Sequence, residues 1–287
     1  MKLNPYNTIK PGNLFTGYEK LRQRILKGLN NGKSFAVMGG SRCGKTSLLL
    51  QLEKDLGIAS STQQTLLPRF VDIQAELPKS AGEFWACVSR YTVPGTDLPV
   101  WQPGHDTQPY QAFLAWLKQI APQMTELNGA NWMVVLLIDE LEVAASRLPN
   151  DDGFHNLRNF LIKSESPLNN LESHTLWHLS VDESHQLVQQ GFGNEFPMQL
   201  ESMLQELSGC HPWLLQGLLE YLWEAQQPLD VESLRNAARQ FTRSRDVFCS
   251  VAIILPVVER TQAETRFRWA RHSFLLCYEM RKRRRSN

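Results

Sequence analysis

The run Gly39-Gly40-Ser41-Arg42-Cys43-Gly44-Lys45-Thr46 fits the pattern G-x-x-x-x-G-K-[ST] at every fixed position, and its flanks constrain the chain further. Ser34-Phe35-Ala36-Val37-Met38 precedes it, a short apolar run that predicts a buried parallel strand. Leu48, Leu52 and Leu56 follow at i, i+4 and i+8, and Gly57 supplies a stop, which predicts a helix from Ser47. Strand, glycine loop and helix in this order frame a phosphate-binding loop. Polyphosphate oxygens need several inward-pointing N–H groups, and glycine lets the backbone bend close enough to supply them. Gly39 and Gly44 are expected to shape that nest, with Gly40, Ser41, Arg42, Cys43 and Ser47 completing the nucleotide contacts. Lys45 reaches the β and γ phosphates in such a loop, the Thr46 hydroxyl ligates Mg²⁺, and the helix N-terminus adds partial positive charge.

A second landmark is Trp132-Met133-Val134-Val135-Leu136-Leu137-Ile138-Asp139-Glu140, where five aliphatic residues in a row run into two carboxylates. This reads as a buried central strand delivering acids at its C-terminal edge. About 95 residues separate it from the glycine loop. In a phosphate-loop ATPase the first acid helps to hold Mg²⁺ through its water shell, the expected part of Asp139; the competing reading is a strand ending in acids that cap the next helix.

The order of further motifs carries a resemblance. Asn4-Pro5-Tyr6, then Phe15-Thr16-Gly17-Tyr18-Glu19, a helix over Lys20–Leu29, and a strand leading into the glycine loop resemble the opening of the STAND class of signal-transduction ATPases, a branch of the AAA+ superfamily. In that family the lead-in helps to bind adenine and usually reads Phe-x-Gly-Arg-Glu, with arginine where this chain has Tyr18. Gly209-Cys210-His211-Pro212 resembles the family's Gly-His-Pro motif, whose proline lies against the adenine and couples a helical lid to the nucleotide state; His211 and Pro212 are the implied contacts. The resemblance also implies that Glu140 orients and deprotonates an attacking water, and that Asn156–Leu161 forms the helix whose Arg158 could face a γ-phosphate. It stops short in one place. The family's next strand, which carries a γ-phosphate sensor, has no room between Leu161 and Ser166-Pro167-Leu168-Asn169-Asn170, so the sheet is expected to lack one central strand.

The expected architecture is therefore α/β: a three-layer, AAA+-like phosphate-loop domain with a mostly parallel sheet over residues 1–180, a helical lid over 181–242 and an Arg-rich tail over 243–287. Further strands are predicted at Arg69–Gln74 and Thr175–Ser180, and helices at Ser80–Arg90, Tyr110–Leu127, Asp182–Gln190, Met198–Leu207, Pro212–Ala225 and Asp230–Phe241, with Asp182 and Asp230 as N-caps. The tail holds eleven Lys and Arg against four Asp and Glu, a net +7, whereas the preceding residues carry −6. Three readings of it stay open: phosphate binding on nucleic acid or an acidic membrane through Arg281–Arg285, a solvated end, or a decayed reading frame. Val251–Val258 is too short and too broken by Pro256 to span a bilayer. The five cysteines form no C-x-x-C pair, and His174, His178 and His185 lack ligand spacing, so neither a disulfide framework nor a metal site is indicated. With no apolar leader at Met1-Lys2-Leu3, a cytoplasmic location is expected.

These readings converge on an ATP·Mg²⁺-binding switch that binds adenine nucleotide, with an unidentified protein partner and an oligomeric state that could follow the nucleotide. No Asn-Lys-x-Asp guanine motif is present. The alternatives are a nucleic-acid-associated ATPase using the basic tail, and an interaction module that has lost hydrolysis.

Overall fold

The computed structural model describes residues 4–6, 15–40, 42–59, 64–104, 108–147, 171–225, 228–241 and 249–258. Helix α1 spans Glu19–Asn30, and strand β1, Ser34–Gly40, leads through the glycine loop into α2, Lys45–Ala59. Strand β2 is Thr65–Asp72, followed by the single turn α3 (Ile73–Glu76), α4 (Ala81–Thr92) and α5 (Pro109–Asn128). Then come β3 (Trp132–Asp139), α6 (Leu141–Arg147) and β4 (Leu171–Leu176). Four helices follow, α7 (Val181–Phe192), α8 (Met198–Ser208), α9 (Pro212–Ala225) and α10 (Val231–Phe241), before β5 (Cys249–Val258). The protein is mixed α/β. Among the described residues no helix is long and apolar enough to cross a membrane.

The chain divides into two compact units, one comprising Met1–Arg24, Gly39–Gln51 and Thr175–Cys249, the other Ile25–Met38, Leu52–His174 and Ser250–Asn287. In the second, the sheet has the order β2-β3-β5-β1-β4. Strand β3 is buried at all eight positions, as its aliphatic run predicts. It pairs in parallel with β2, Thr65 opposite Trp132 through Asp72 opposite Asp139. β2 closes two residues earlier than its apolar pattern suggests, because the Asp72 carboxylate caps α3 by accepting the Ala75 N–H at 3.1 Å and turns Ile73 and Gln74 into the helix.

The other edge of β3 departs from expectation. Strand β5, from the tail, lies between β3 and β1 and runs antiparallel to β3, with Met133 opposite Val258 and Ile138 opposite Ile253. The sheet thus has a strand in the position expected to be missing, and it is not uniformly parallel. A strand buried on both faces must satisfy its N–H and C=O groups on both edges, and the β-branched run of 251–258 does so from far along the chain. Proline stands opposite Val135 on both sides, Pro68 and Pro256, and neither has an N–H to give to the ladder.

Helices α4 and α5 cover this sheet with an aromatic core. Trp85 stacks on Phe113 at 4.8 Å and meets Phe84 edge-on at 5.2 Å, while Phe113, Trp116 and Ile120 form the buried stripe of α5 that the sequence periodicity predicts. Two of the indole N–H groups are satisfied locally, Trp116 donating to the Pro99 carbonyl at 2.8 Å and Trp132 to the Thr125 hydroxyl at 3.0 Å, whereas that of Trp85 is buried without a partner.

The first unit is built on α7–α10. Their core includes Leu187, Val188, Leu200, Leu204, Leu215, Leu219 and Leu234, and Tyr6 is inserted among them. The Tyr6 hydroxyl lies 3.0 Å from the Val188 carbonyl and 3.2 Å from that of Leu187, its ring stacks on Phe192, and Gly191 has no room for a Cβ beneath it. Asn4-Pro5-Tyr6 therefore anchors the N-terminal segment in the helices. The α7 cap is Ser180 rather than Asp182: its hydroxyl accepts the Glu183 N–H at 3.2 Å and the Glu183 carboxylate accepts the Ser180 N–H at 2.8 Å, a complete capping box. Asp230 caps α10 as expected, accepting the Ser233 N–H at 2.8 Å.

Candidate functional site

The glycine loop belongs to the first unit. It leaves β1 at Gly40 and closes at Lys45, the first residue of α2, and Ser41 lies outside the described residues. Arg42 and Gly44 both take left-handed backbone conformations, at φ 62° and 92°, on either side of Cys43. Such a conformation suits glycine and costs an ordinary residue about 1 kcal/mol or more, so Arg42 is held there by its surroundings. Gly39 is required by space: a Cβ would come within 2.5 Å of the Cys43 sulfur and 2.9 Å of the Leu176 carbonyl. Gly40 has nothing within 4 Å of that position, so packing does not explain it.

Lys45 is buried, 5% exposed, and its ammonium is folded back on the loop, 2.9 Å from the Gly40 carbonyl and 3.3 Å from that of Gly39. The Cys43 sulfur, also buried, is 4.0 Å away. Carbonyl oxygens thus solvate a charge that would otherwise be costly to bury. Thr46 and Ser47 occupy the first turn of α2 and are half-buried, and the first turn of a helix is where backbone N–H groups and partial positive charge favour an anion.

Two aromatic residues brace the loop. The Tyr18 hydroxyl stands 2.9 Å from the carbonyls of both Cys43 and Trp177, and the Tyr18 N–H donates to Glu183 Oε1 at 2.5 Å. Burial, with the acidic neighbours Cys43 and Glu183 adding to it, raises the Tyr18 phenol well above its usual range, so it stays a neutral donor. On the other side the Arg42 guanidinium lies 4.2 Å from the Trp213 ring centroid, a cation–π contact. Trp213 follows Pro212, which is the first residue of α9 as its fixed φ favours. His211, just before it, faces His178 edge-on at 5.7 Å, and burial foremost, then His178, lowers its pKa.

The two predicted acids stand in the second unit. Asp139, 3% exposed, ends β3 and accepts the Glu140 N–H at 3.1 Å. Glu140 is half-buried and left-handed at φ 52°, a strained conformation for a residue with a Cβ.

The three histidines go separate ways. His174 pairs with Glu172 at 2.9 Å, His178 faces His211, and His185 pairs with Glu201 at 2.8 Å; among the described residues no three His, Cys, Asp or Glu side chains gather as a metal site. His185 and Glu201 line a groove of about 350 Å³ with Val181, Phe196 and Met198, which shares no residue with the loop. Arg158, the Ser166–Asn170 stretch and Arg281–Arg285 lie outside the described residues.

Sequence reasoning placed Tyr18 in the lead-in motif, where the resembling family has arginine, and assigned no role to it or to Trp213. An aromatic residue beside a glycine loop carries no spacing signal; its meaning comes from the carbonyl or cation that it meets in space. No known protein family matches the chain, and no curated protein matches its sequence.

Proposed function

We propose that the protein is an ATP·Mg²⁺-binding switch of the phosphate-loop class, with an AAA+-like nucleotide-binding domain and a helical lid. One observation carries this reading: the loop at 39–46 joins a buried strand to a helix, with Gly44 left-handed and the Lys45 ammonium gathered over the loop carbonyls. A polyphosphate would compete for that ammonium with two neutral carbonyls, and its anionic oxygens add the attraction of opposite charges to the hydrogen bond. Gly39, Gly44, Lys45 and Thr46 would hold phosphate and metal; for Asp139 the proposed part, support of Mg²⁺, rests on the strand-end motif of the sequence alone. When bound, Mg²⁺ would neutralise phosphate charge. Glu140 would orient and deprotonate water. Arg42, in cation–π contact with Trp213, and Pro212 at the start of α9 support a lid that responds to the loop's occupant.

A second reading, binding with little or no hydrolysis, is favoured by β5. Because it runs antiparallel to β3, it brings its N-terminal end, not a C-terminal one, to the Asp139 edge, so a sensor cannot be supplied there in the family's manner.

Thermal unfolding with ATP·Mg²⁺, ADP and GTP tests the reading. A ligand that binds only the native state stabilises it by about 2.7 kcal/mol at a hundredfold excess over Kd. The expected result is a rise of several degrees with adenine nucleotides that Lys45→Ala abolishes; no rise with any nucleotide would overturn it. Phosphate release that Glu140→Gln removes would decide for hydrolysis over the second reading.

A further inference from the structure

We propose that Tyr18 is a positioning residue of the phosphate loop, which sets the direction of the Gly44 N–H so that it donates to a bound polyphosphate. The inference rests on the nucleotide-binding reading and assigns part of that site's geometry to a residue outside the loop.

The argument starts from one peptide bond. Across a trans peptide the C=O and N–H point in opposite directions, and the described bonds are all trans. The Tyr18 hydroxyl holds the Cys43 carbonyl at 2.9 Å. The Gly44 N–H, on the same peptide, is therefore turned away from Tyr18. Gly44 has φ 92°, and the Tyr18 ring edge would be 3.7 Å from a Cβ built on it, so the ring packs beside the residue it orients. Turning this peptide over would take the carbonyl from its donor and reverse the N–H.

Tyr18 is itself fixed from three directions. Its N–H is held by the Glu183 carboxylate, whose other oxygen completes the α7 capping box. Its hydroxyl also meets the Trp177 carbonyl at 2.9 Å, so the one phenolic proton is shared between a loop carbonyl and the segment after β4. Its backbone is left-handed at φ 57°, and Gly17 before it has φ 101° and no space for a Cβ against Leu179. A strained residue held by a carboxylate, a packed glycine and two carbonyl acceptors is over-determined, as a positioning group must be. An arginine at this position would carry charge; a half-buried neutral phenol carries direction only.

The test is calorimetric titration of the full chain with magnesium tripolyphosphate, ATP·Mg²⁺ and adenosine, comparing wild type with Tyr18→Phe. The phenylalanine keeps the ring and loses the donor. The expected result is about a tenfold loss of affinity for tripolyphosphate and ATP alike, with adenosine unaffected. Unchanged tripolyphosphate affinity, or equal losses for all three ligands, would overturn the proposal, the latter pointing to a merely structural role. If Tyr18→Phe does not fold, the Gly44 amide resonance of wild type serves instead: it must move on adding tripolyphosphate, and a resonance that stays put overturns the proposal. Should wild type bind neither tripolyphosphate nor ATP, the nucleotide reading falls and this inference with it. Binding that depends on Lys45 but not on Tyr18 removes this inference alone.

Discussion

Gly39 and Gly40 stand side by side in the same motif, yet the structure treats them differently. A methyl group on Gly39 meets a buried sulfur and the Leu176 backbone carbonyl, whereas one on Gly40 meets nothing. Gly39→Ala is therefore expected to lower stability by about 1–3 kcal/mol through overpacking, while Gly40→Ala should change it by less than about 1 kcal/mol. Urea unfolding of the two variants reads the difference directly; equal losses would mean that the loop is not packed as described. At this scale the sequence is most informative where chemistry fixes spacing. The residues of the glycine motif, Asp139 and Glu140 stood out as candidates because phosphate and metal chemistry would require those residue types in that order. Tyr18 was not, since a single tyrosine acquires its role only from Cys43, Trp177 and Glu183, the last of them 165 residues away.

At the scale of elements, periodicity located the segments well and their ends less well. The leucines of α2, the aromatic stripe of α5 and the aliphatic run of β3 each announced a buried face that the structure contains. Ends depend on individual hydrogen bonds, and there local competitors decide: Asp72 draws Ile73 into a helix, and Ser180 takes the cap that Asp182 seemed placed to fill. The capping box predicts a contrast. Ser180→Ala should lower stability by about 1 kcal/mol, whereas Asp182→Asn, outside the cap, should stay within about 0.5 kcal/mol of wild type. Chemical denaturation distinguishes them, and a reversed order would return the cap to Asp182.

For the whole molecule, β5 is the element that sequence reading could not place. Its apolar run was visible, but strand pairing is non-local, and nothing within Val251–Val258 names β3 as its partner across more than a hundred residues. A sheet position expected to be empty is filled from the tail, so the tail's first part is structural whatever its arginines do. Ending the chain at residue 248 should therefore destabilise it far more than ending it at residue 258, because the former strips hydrogen-bond partners from the buried β3, where each unsatisfied group costs about 1–3 kcal/mol. Thermal unfolding of the two truncations compares them; similar melting temperatures would remove β5 from the fold. The central claim, that the loop at 39–46 binds a nucleoside triphosphate, is tested most directly by calorimetric titration of ATP·Mg²⁺ into folded wild type and folded Lys45→Ala. Saturable binding by wild type, weakened at least about tenfold in the variant, is the predicted result, a loss of about 1.4 kcal/mol. The absence of saturable binding to folded wild type, or equal binding by the variant, would contradict it.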